Sequence, residues 1–404
     1  MKHLAAFIIA SLMGIPSCYC LDAGETRISF TGDIIMHIPV KASALSHNKP
    51  GRGKNETLNN QGFDYLFTRI KDSFKDSDIV VGNMEFPVSP PFHSRDRVFN
   101  CYPEVLAALK DAGFTMVHIA NNHILDQGVA GAINTITFLQ NNGLDFIGVN
   151  SDEKTARKGV VKKVRGIRIG LIGYAGYLNF RRPRNPKGFF LNWFYDDDIV
   201  IADIADIRKK CDFLVMVVHA GVEYTYLPRA FDADRMKKYI NRGVDLIIGH
   251  HPHFIQPAER VIADDGRVCF IFYSLGNFIS NQDTRAAEYF NGVPLNTRDS
   301  IIVHCILERS CSGKRPSARF EVQPVHTVNR IDIDTRLRTI QTVSTYHEVQ
   351  RLKNRLSNAD LKEKVDIENQ LQTLYQKTEA FRTALFNKRE MKEITLQDNS
   401  GVYE

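Results

Sequence analysis

Val244-Asp245-Leu246-Ile247-Ile248-Gly249-His250-His251-Pro252-His253 is the stretch that decides the fold. A short apolar run of strand length ends at a glycine and delivers three imidazoles within four residues. Few structural roles account for that many imidazoles at one strand exit, and neutral imidazole is a common transition-metal ligand. If the segment stays extended, alternation puts His251 and His253 on the same side. Ligands in open α/β sheets gather at strand ends, so the stretch predicts an α/β sheet with a metal site at its edge.

Four other strand ends carry similar chemistry. In Phe30-Thr31-Gly32-Asp33 a strand runs out at a glycine, which permits a sharp turn, and Asp33 follows. Val81-Gly82-Asn83-Met84-Glu85 ends in an amide and a carboxylate able to bridge two cations. Ala120-Asn121-Asn122-His123-Ile124-Leu125-Asp126-Gln127-Gly128 packs an amide, an imidazole and a carboxylate between strand and helix. The Asn122 carbonyl can bind a cation without adding charge, and His123 can give a proton to a leaving oxygen. Asp126 either caps the helix or orients His123. Val218-His219-Ala220-Gly221-Val222-Glu223-Tyr224 delivers His219 from a buried strand, with Glu223 in the loop behind it. Nitrogen and oxygen donors without clustered thiolates suit Mn, Fe or Zn. Two such cations would activate a water and clamp a phosphoryl group.

The surrounding pattern is β-α alternation followed by consecutive strands. Strands are expected over 27–35, 78–82, 114–120, 144–149, 213–219, 244–249, 267–275, 300–308 and 319–327, with a hairpin over 160–174 turning at Gly166. Helices are expected over 63–74, 103–112, 129–141 and 231–242. This order predicts two sheets with helices outside them. After Asn329 the composition shifts to Lys, Arg, Glu, Gln and Leu. Leu352, Leu356, Leu361, Val365, Leu371 and Leu374 recur at helical spacing, and Ser357-Asn358-Ala359-Asp360 reads as a break with a cap. A helical hairpin or short coiled coil is expected there, packed on the main domain or on a second subunit.

The chain has 404 residues, enough for one large domain and an appendage. Its +6 formal net charge permits an anionic polymer, a phosphate-bearing substrate or an anionic membrane surface. There is no zinc-finger spacing, RNP-like stretch or P-loop, so no nucleic-acid partner is expected. Met1-Lys2-His3 followed by the apolar run 4–15 has the layout of a secretory signal spanning 1–20. Its end reads two ways: Ile15-Pro16-Ser17-Cys18 loosely resembles a lipobox that would leave a lipidated Cys18, or cleavage falls near Cys20. The five later cysteines are odd in number and irregular in spacing, which excludes a disulfide framework. Cys211 and Cys269 read as core residues, whereas Cys305 and Cys311 flank a turn and can pair in an oxidising compartment. The basic loop Arg181-Arg182-Pro183-Arg184-Asn185-Pro186-Lys187 is either a polyanion contact or ordinary solvated surface.

Taken in order, these motifs resemble the calcineurin-like metallophosphoesterases, and more closely the CapA family of bacterial capsule (poly-γ-glutamate) biosynthesis proteins. That family carries a Gly-Asp strand end, an Asn-x-Glu, an Ala-Asn-Asn-His-x-x-Asp-x-Gly, a His-x-Gly-x-Glu-Tyr, a Gly-His-His-Pro-His and a Tyr-Ser-Leu-Gly-Asn-Phe. All six occur here in sequence order, the last at residues 273–278. The resemblance implies a four-layer αββα sandwich over residues 27–329, with a C-terminal helical extension over 330–404. It implies two divalent cations: Asp33 and His253 on one, Asn122, His219 and His251 on the other, and Glu85 bridging. His123 and Asp126 would be catalytic, and Asn83, Glu223 and Asn277 would contact substrate. The implied role is capsule or poly-γ-glutamate synthesis or export, on an exported protein in the periplasm or at the outer face of the membrane. The chemistry would be phosphoester hydrolysis or, alternatively, non-catalytic polymer binding in an assembly complex. Membrane-bound capsule-synthesis partners and oligomerisation through the C-terminal helices are further expectations. Three positions depart from the pattern: Ile35 stands where phosphoesterases have a histidine, Glu85 replaces an Asp, and Ala220 replaces a Trp.

Overall fold

Alternation along the strands sorts their side chains into three cores. In Phe213–His219, residues Phe213, Val215 and Val217 face one core while Leu214, Met216 and Val218 face another. In Ile79–Met84, Val81 faces the shared core whereas Val80 and Met84 face a third. The shared core lies between two sheets; each outer core lies under helices. The computed structural model describes residues 24–48, 60–183, 186–282, 284–309, 315–332, 334–386 and 391–397.

The first sheet runs Arg338–Ser344, Ser317–Ile331, Asp299–Glu308, Thr26–Ile34, Ile79–Met84, Met116–His118, Asp145–Ile147. Asn277–Ile279 pairs beside Thr26–Ile34, and Ile394–Leu396 beside Ser317–Ile331. The second sheet runs Ala258–Ile262, Val268–Phe272, Leu246–His250, Phe213–His219, Ile167–Ala175, Val160–Val164. Helices Ile38–His47, Glu104–Asp111 and Gly128–Asn142 cover the first sheet, and Asp197–Arg208 and Ala230–Asn241 cover the second. This is the expected helix–sheet–sheet–helix sandwich. Four neighbouring strands of each sheet are parallel, Thr26–Ile34 through Asp145–Ile147 in the first and Ile167–Ala175 through Val268–Phe272 in the second, so their C-terminal ends deliver polar side chains to one edge.

Some elements differ from expectation. The 63–74 segment is two 3₁₀ helices, Asn60–Phe67 and Lys71–Phe74, rather than one helix. The domain boundary expected at 329 is displaced. Ser317–Ile331 pairs with Arg338–Ser344, so the main sheet continues to Ser344. That strand is polar at Thr339, Gln341 and Thr342. Its polar side chains are used internally: Gln341 donates to the Tyr65 carbonyl and Thr342 to the Phe278 carbonyl. It therefore lacks the apolar run that announces a buried strand.

Helices Thr345–Leu356 and Leu361–Phe386 form the expected hairpin, with a small core of Val349, Leu352, Ile367, Leu371 and Leu374. Asp360 accepts from the Glu363 amide at 2.9 Å, as a capping residue does. Leu361 and Val365, expected on the apolar stripe, are exposed. The far end of the long helix does something the spacing did not announce: Ala380, Phe381, Ala384 and Leu385 enter the core between the sheets. Cys211 and Cys269 are core residues as expected, and Cys305 is a buried free thiol. The stretch 1–20 expected to be a signal, with Cys18, the loop residues Arg184 and Asn185, and Cys311 lie outside the described residues. Arg182 pairs with Asp196 at 3.1 Å and stacks over Trp193.

Phe381→Ala is expected to cost about 3–5 kcal/mol, the range for emptying a buried aromatic site. Val365→Ala should stay within about 0.5 kcal/mol. Equilibrium unfolding in urea checks both; equal small effects would mean that the long helix is not part of the main core.

Candidate metal centre

Asp33 reaches the site through one extra residue. Phe30 pairs with Val81 and Asp33 with Asn83, three steps on one strand against two on the other. Ile28 and Phe30 face the shared core; strict alternation would then turn Gly32 inward and Asp33 outward. The bulge reverses this, and Ile34 packs in the outer core while Asp33 points between the sheets. Gly32 is required beside it, because a Cβ there would lie 2.0 Å from the Gly276 carbonyl oxygen. The same carbonyl accepts from the Asp33 amide at 2.9 Å.

His250 closes its strand in register with His219. The chain then turns sharply, with φ of 98° at His251 and 60° at His253. The segment is not extended, so alternation is not what brings these two rings to the same pocket; two left-handed residues around Pro252 do. The His251 amide points at Asp33 Oδ2 across 3.4 Å.

The donors fall into two groups around Glu85. Ligand-type atoms of Asp33, Glu85 and His253 all lie within 4.8 Å of one another. Asp33 Oδ2 is 3.3 Å from His253 Nδ1, which also faces Asn277 Oδ1 at 2.9 Å. On the other side, His219 Nε2 is 2.9 Å from Asn122 Oδ1 and 3.7 Å from Glu85 Oε1. The His251 ring lies 4.8 Å from that of His219 and 6.2 Å from that of His253. Glu85 Oε1 is buried with no hydrogen-bond donor, and His251 Nδ1 is buried with no partner.

These orphaned atoms have an electrostatic counterpart. Burial, then the carboxylates of Asp33, Glu223 and Asp126, push Glu85 well above the usual carboxylate range. Burial alone would raise Asp33 too, but the imidazoles of His250 and His253 hold it well below that range. Burial, then the neighbouring His253, lowers His251 to about 3. Burial, then His251, takes His219 well down as well. The pocket thus combines crowded carboxylates with neutral imidazoles, whose lone pairs are free for a cation. A buried acid without a donor is costly unless a positive charge reaches it. The residues present fit a pair of divalent cations.

Asp126 does not cap the helix: Gln127 holds that position and no side chain caps it. Asp126 Oδ2 instead meets His123 Nδ1 at 2.7 Å and accepts from the Phe99 amide. His123 Nε2 then faces Glu85 Oε1 at 3.9 Å. Glu223 lines the cavity in front of these groups, a space of about 850 Å³. Asn83 and Asn277 are fully buried behind them. Asn83 donates to Asp33 Oδ1 at 2.8 Å and lies 3.1 Å from His219 Nδ1, tying the two ligand groups together.

Sequence reading missed several members of this cluster. His118 ends its strand beside Asn83, with Nδ1 3.1 Å from Asn83 Oδ1; the strand-end rule that found His219 would have found it. Phe99, stacked on His123 at 4.1 Å, and Asn179, whose amide lies 3.3 Å from the same ring, come from irregular loops that carry no periodic signal.

Carboxylate, amide and imidazole donors, collected from parallel strand ends of a helix–sheet–sheet–helix sandwich, make this edge a candidate divalent-metal pocket. The chain belongs to the bacterial capsule synthesis protein family, which matches residues 27–282. It is 32% identical to the PGA biosynthesis protein CapA of Bacillus subtilis over 328 residues, 79% of this chain and 76% of that one. It is also 32% identical to the capsule biosynthesis protein CapA of Bacillus anthracis over 247 residues, 57% of each. Among solved structures, the NAD nucleotidase of Haemophilus influenzae overlaps 93% of this chain and 57% of its own at 12% identity, with a TM-score of 0.41. Likeness that loose carries nothing about activity.

Glu85 makes a signed prediction. Its proton is held in the folded, metal-free pocket to a higher pH than in the unfolded chain. The folded state therefore binds more protons between the two values, and metal-free stability falls as pH rises above the ordinary carboxylate range. Glu85→Gln should remove that slope and raise metal-free stability at neutral pH, yet reduce the stabilisation that added Mn²⁺ gives. Thermal unfolding in EDTA and in Mn²⁺ between about pH 5 and pH 8 reads both effects; a change of the same sign in both states would remove Glu85 from the centre.

Proposed function

We propose that this protein is a metal-dependent phosphoesterase of capsule or poly-γ-glutamate synthesis, acting outside the cytoplasm. The observation that carries the reading is Glu85: a buried carboxylate with an orphaned oxygen, set between Asp33 and His253 on one side and Asn122, His219 and His251 on the other. Two divalent cations held by these residues would supply Lewis acidity toward a phosphoryl group and a water of lowered pKa. The protein's own groups do the rest. Asp126 accepts from His123 Nδ1, so a proton taken up by the ring resides on Nε2, on the Glu85 side of the cavity. From there it passes to the leaving oxygen. Phe99 holds the ring plane by stacking, which limits the angles from which that transfer occurs.

The family's membership in capsule synthesis supports a polymer-related phosphate ester as substrate, and the apolar run 4–15 supports export. Membrane-bound synthesis partners follow from the same setting. A second reading, a polymer-holding component without turnover, is favoured by one observation: Ile35 is a buried apolar wall residue of the cavity where a ligand would complete the first cation's shell.

Metal analysis of the purified full-length protein, joined to phosphomonoester and phosphodiester hydrolysis assays, separates the two. His251→Ala is expected to lose bound metal and activity together. His123→Gln should keep its metal and lose about 10²- to 10⁴-fold in kcat, the usual contribution of a positioned acid. Wild-type protein that binds no divalent metal and shows no hydrolysis dependent on His251 would sink the enzymatic reading.

A further inference from the structure

The cavity wall carries groups that the proposed centre does not use. Arg97 stands at the tip of a tight turn closed by two backbone hydrogen bonds, Arg95 N–H to Val98 O at 3.0 Å and Val98 N–H to Arg95 O at 3.2 Å. Its φ of 57° is left-handed, uncommon for a side-chain-bearing residue. Among the described residues its guanidinium has no acidic partner, and Arg97 lines the cavity. The turn is anchored two residues on: Phe99 stacks on His123 at 4.1 Å and meets His37 edge-on at 4.9 Å. Arg97 is thus tied to the geometry of the His123–Asp126 pair.

His37 lies across Phe99 from His123 and also lines the cavity. Its Nδ1 accepts the Asn281 amide at 3.2 Å, so a neutral ring carries its proton on Nε2. Burial, then His253 and His123, lowers its pKa to about 3, so the ring is neutral at physiological pH. It therefore offers an N–H donor rather than a lone pair. That makes it a partner for an anionic oxygen, not a ligand replacing the histidine absent at Ile35. Arg285 lines the same cavity. A volume of about 850 Å³ is far more than one phosphoryl group fills and falls within the range that holds drug-sized ligands.

We propose that His37, Arg97 and Arg285 form a second, oxyanion-binding subsite in this cavity, which takes a non-reacting carboxylate or phosphate of the substrate while another group reaches the metal centre. The planar guanidinium fork suits either acid through paired N–H donors, and the neutral His37 adds a donor without another charge. The wall also carries Asp96 and Glu223, so selectivity rests on directed donors more than on net charge. The proposal rests on the metal-centre reading for its second group only.

Isothermal titration of the full-length protein, Mn²⁺-loaded and EDTA-stripped, with a short γ-linked glutamate oligomer and with inorganic phosphate, tests it. Arg97→Gly keeps the left-handed turn open to the backbone, and Arg97→Lys keeps the charge without the fork. Arg97→Gly is expected to weaken oligomer binding about tenfold, the loss of one charge-assisted pair, with metal content and melting temperature unchanged and partial recovery in Arg97→Lys. His37→Phe should weaken the same ligand severalfold. An effect on the oligomer assigns the subsite to carboxylate; an effect on phosphate in the stripped protein assigns it to phosphate; either supports the subsite. Unchanged affinity for both ligands in Arg97→Gly and His37→Phe overturns it. Arg97-dependent binding in a protein without metal or hydrolysis would keep the subsite and sink the phosphoesterase reading alone.

Discussion

One extra residue in the strand Thr26–Ile34 sets where Asp33 points, and the centre depends on it. Bulges are uncommon between parallel strands, and this one persists because two backbones meet there. Gly32 lets the Gly276 carbonyl approach to a distance no Cβ would allow, and the Asp33 amide is paired by that carbonyl. The segment that bears Gly276 also bears Asn277, whose side chain faces His253. A single close contact therefore fixes a carboxylate from one sheet against an imidazole from the loop that ends a strand of the other. A side chain at Gly32 would push the two halves of the pocket apart.

Burial then does the electrostatic work. Three carboxylates, Asp33, Glu85 and Asp126, are buried together, and Glu223 on the cavity wall adds a fourth charge beside them. Each has a different answer to that crowding. Asp33 is offset by the imidazoles of His250 and His253, Asp126 by His123 and a backbone amide, and Glu223 by its position on the cavity wall. Glu85 keeps an oxygen without a donor, as Asp126 does at Oδ1, but among the described residues Glu85 has no cation or ring N–H within hydrogen-bond distance of that oxygen. It does so at the midpoint between the two ligand groups, which is where a shared positive charge lowers the energy most.

The chemistry of this centre was more legible in the sequence than its surroundings. Asp33, Asn122, His219, His251 and His253 were readable because apolar runs announce strands and polar residues at their ends stand out. Their convergence was not readable from alternation: His251 and His253 meet through left-handed backbone at a turn, and Asp33 arrives through a bulge that inverts the strand's period. Both are events of one or two residues that a periodic pattern cannot encode. Arg338–Ser344 escaped for the opposite reason. Its polar side chains find buried partners on other elements, such as the Tyr65 carbonyl, that only tertiary structure supplies.

The C-terminal helices show the same limit at larger scale. Their Leu-rich spacing announced a hairpin that serves as an appendage, and the Val349–Leu374 cluster is such a core. Past Leu374, however, the same long helix stops serving its partner and serves the sandwich. Phe381 and Leu385 fill the shared core, Lys377 pairs with the buried Asp299 at 2.7 Å, and Ile394–Leu396 adds a strand to Ser317–Ile331. Asp299 belongs to the strand beside Thr26–Ile34, whose bulge holds Asp33. The helix is thus joined to the candidate metal site by one strand, and a part of the chain beyond the family match at 27–282 is built into its foundation.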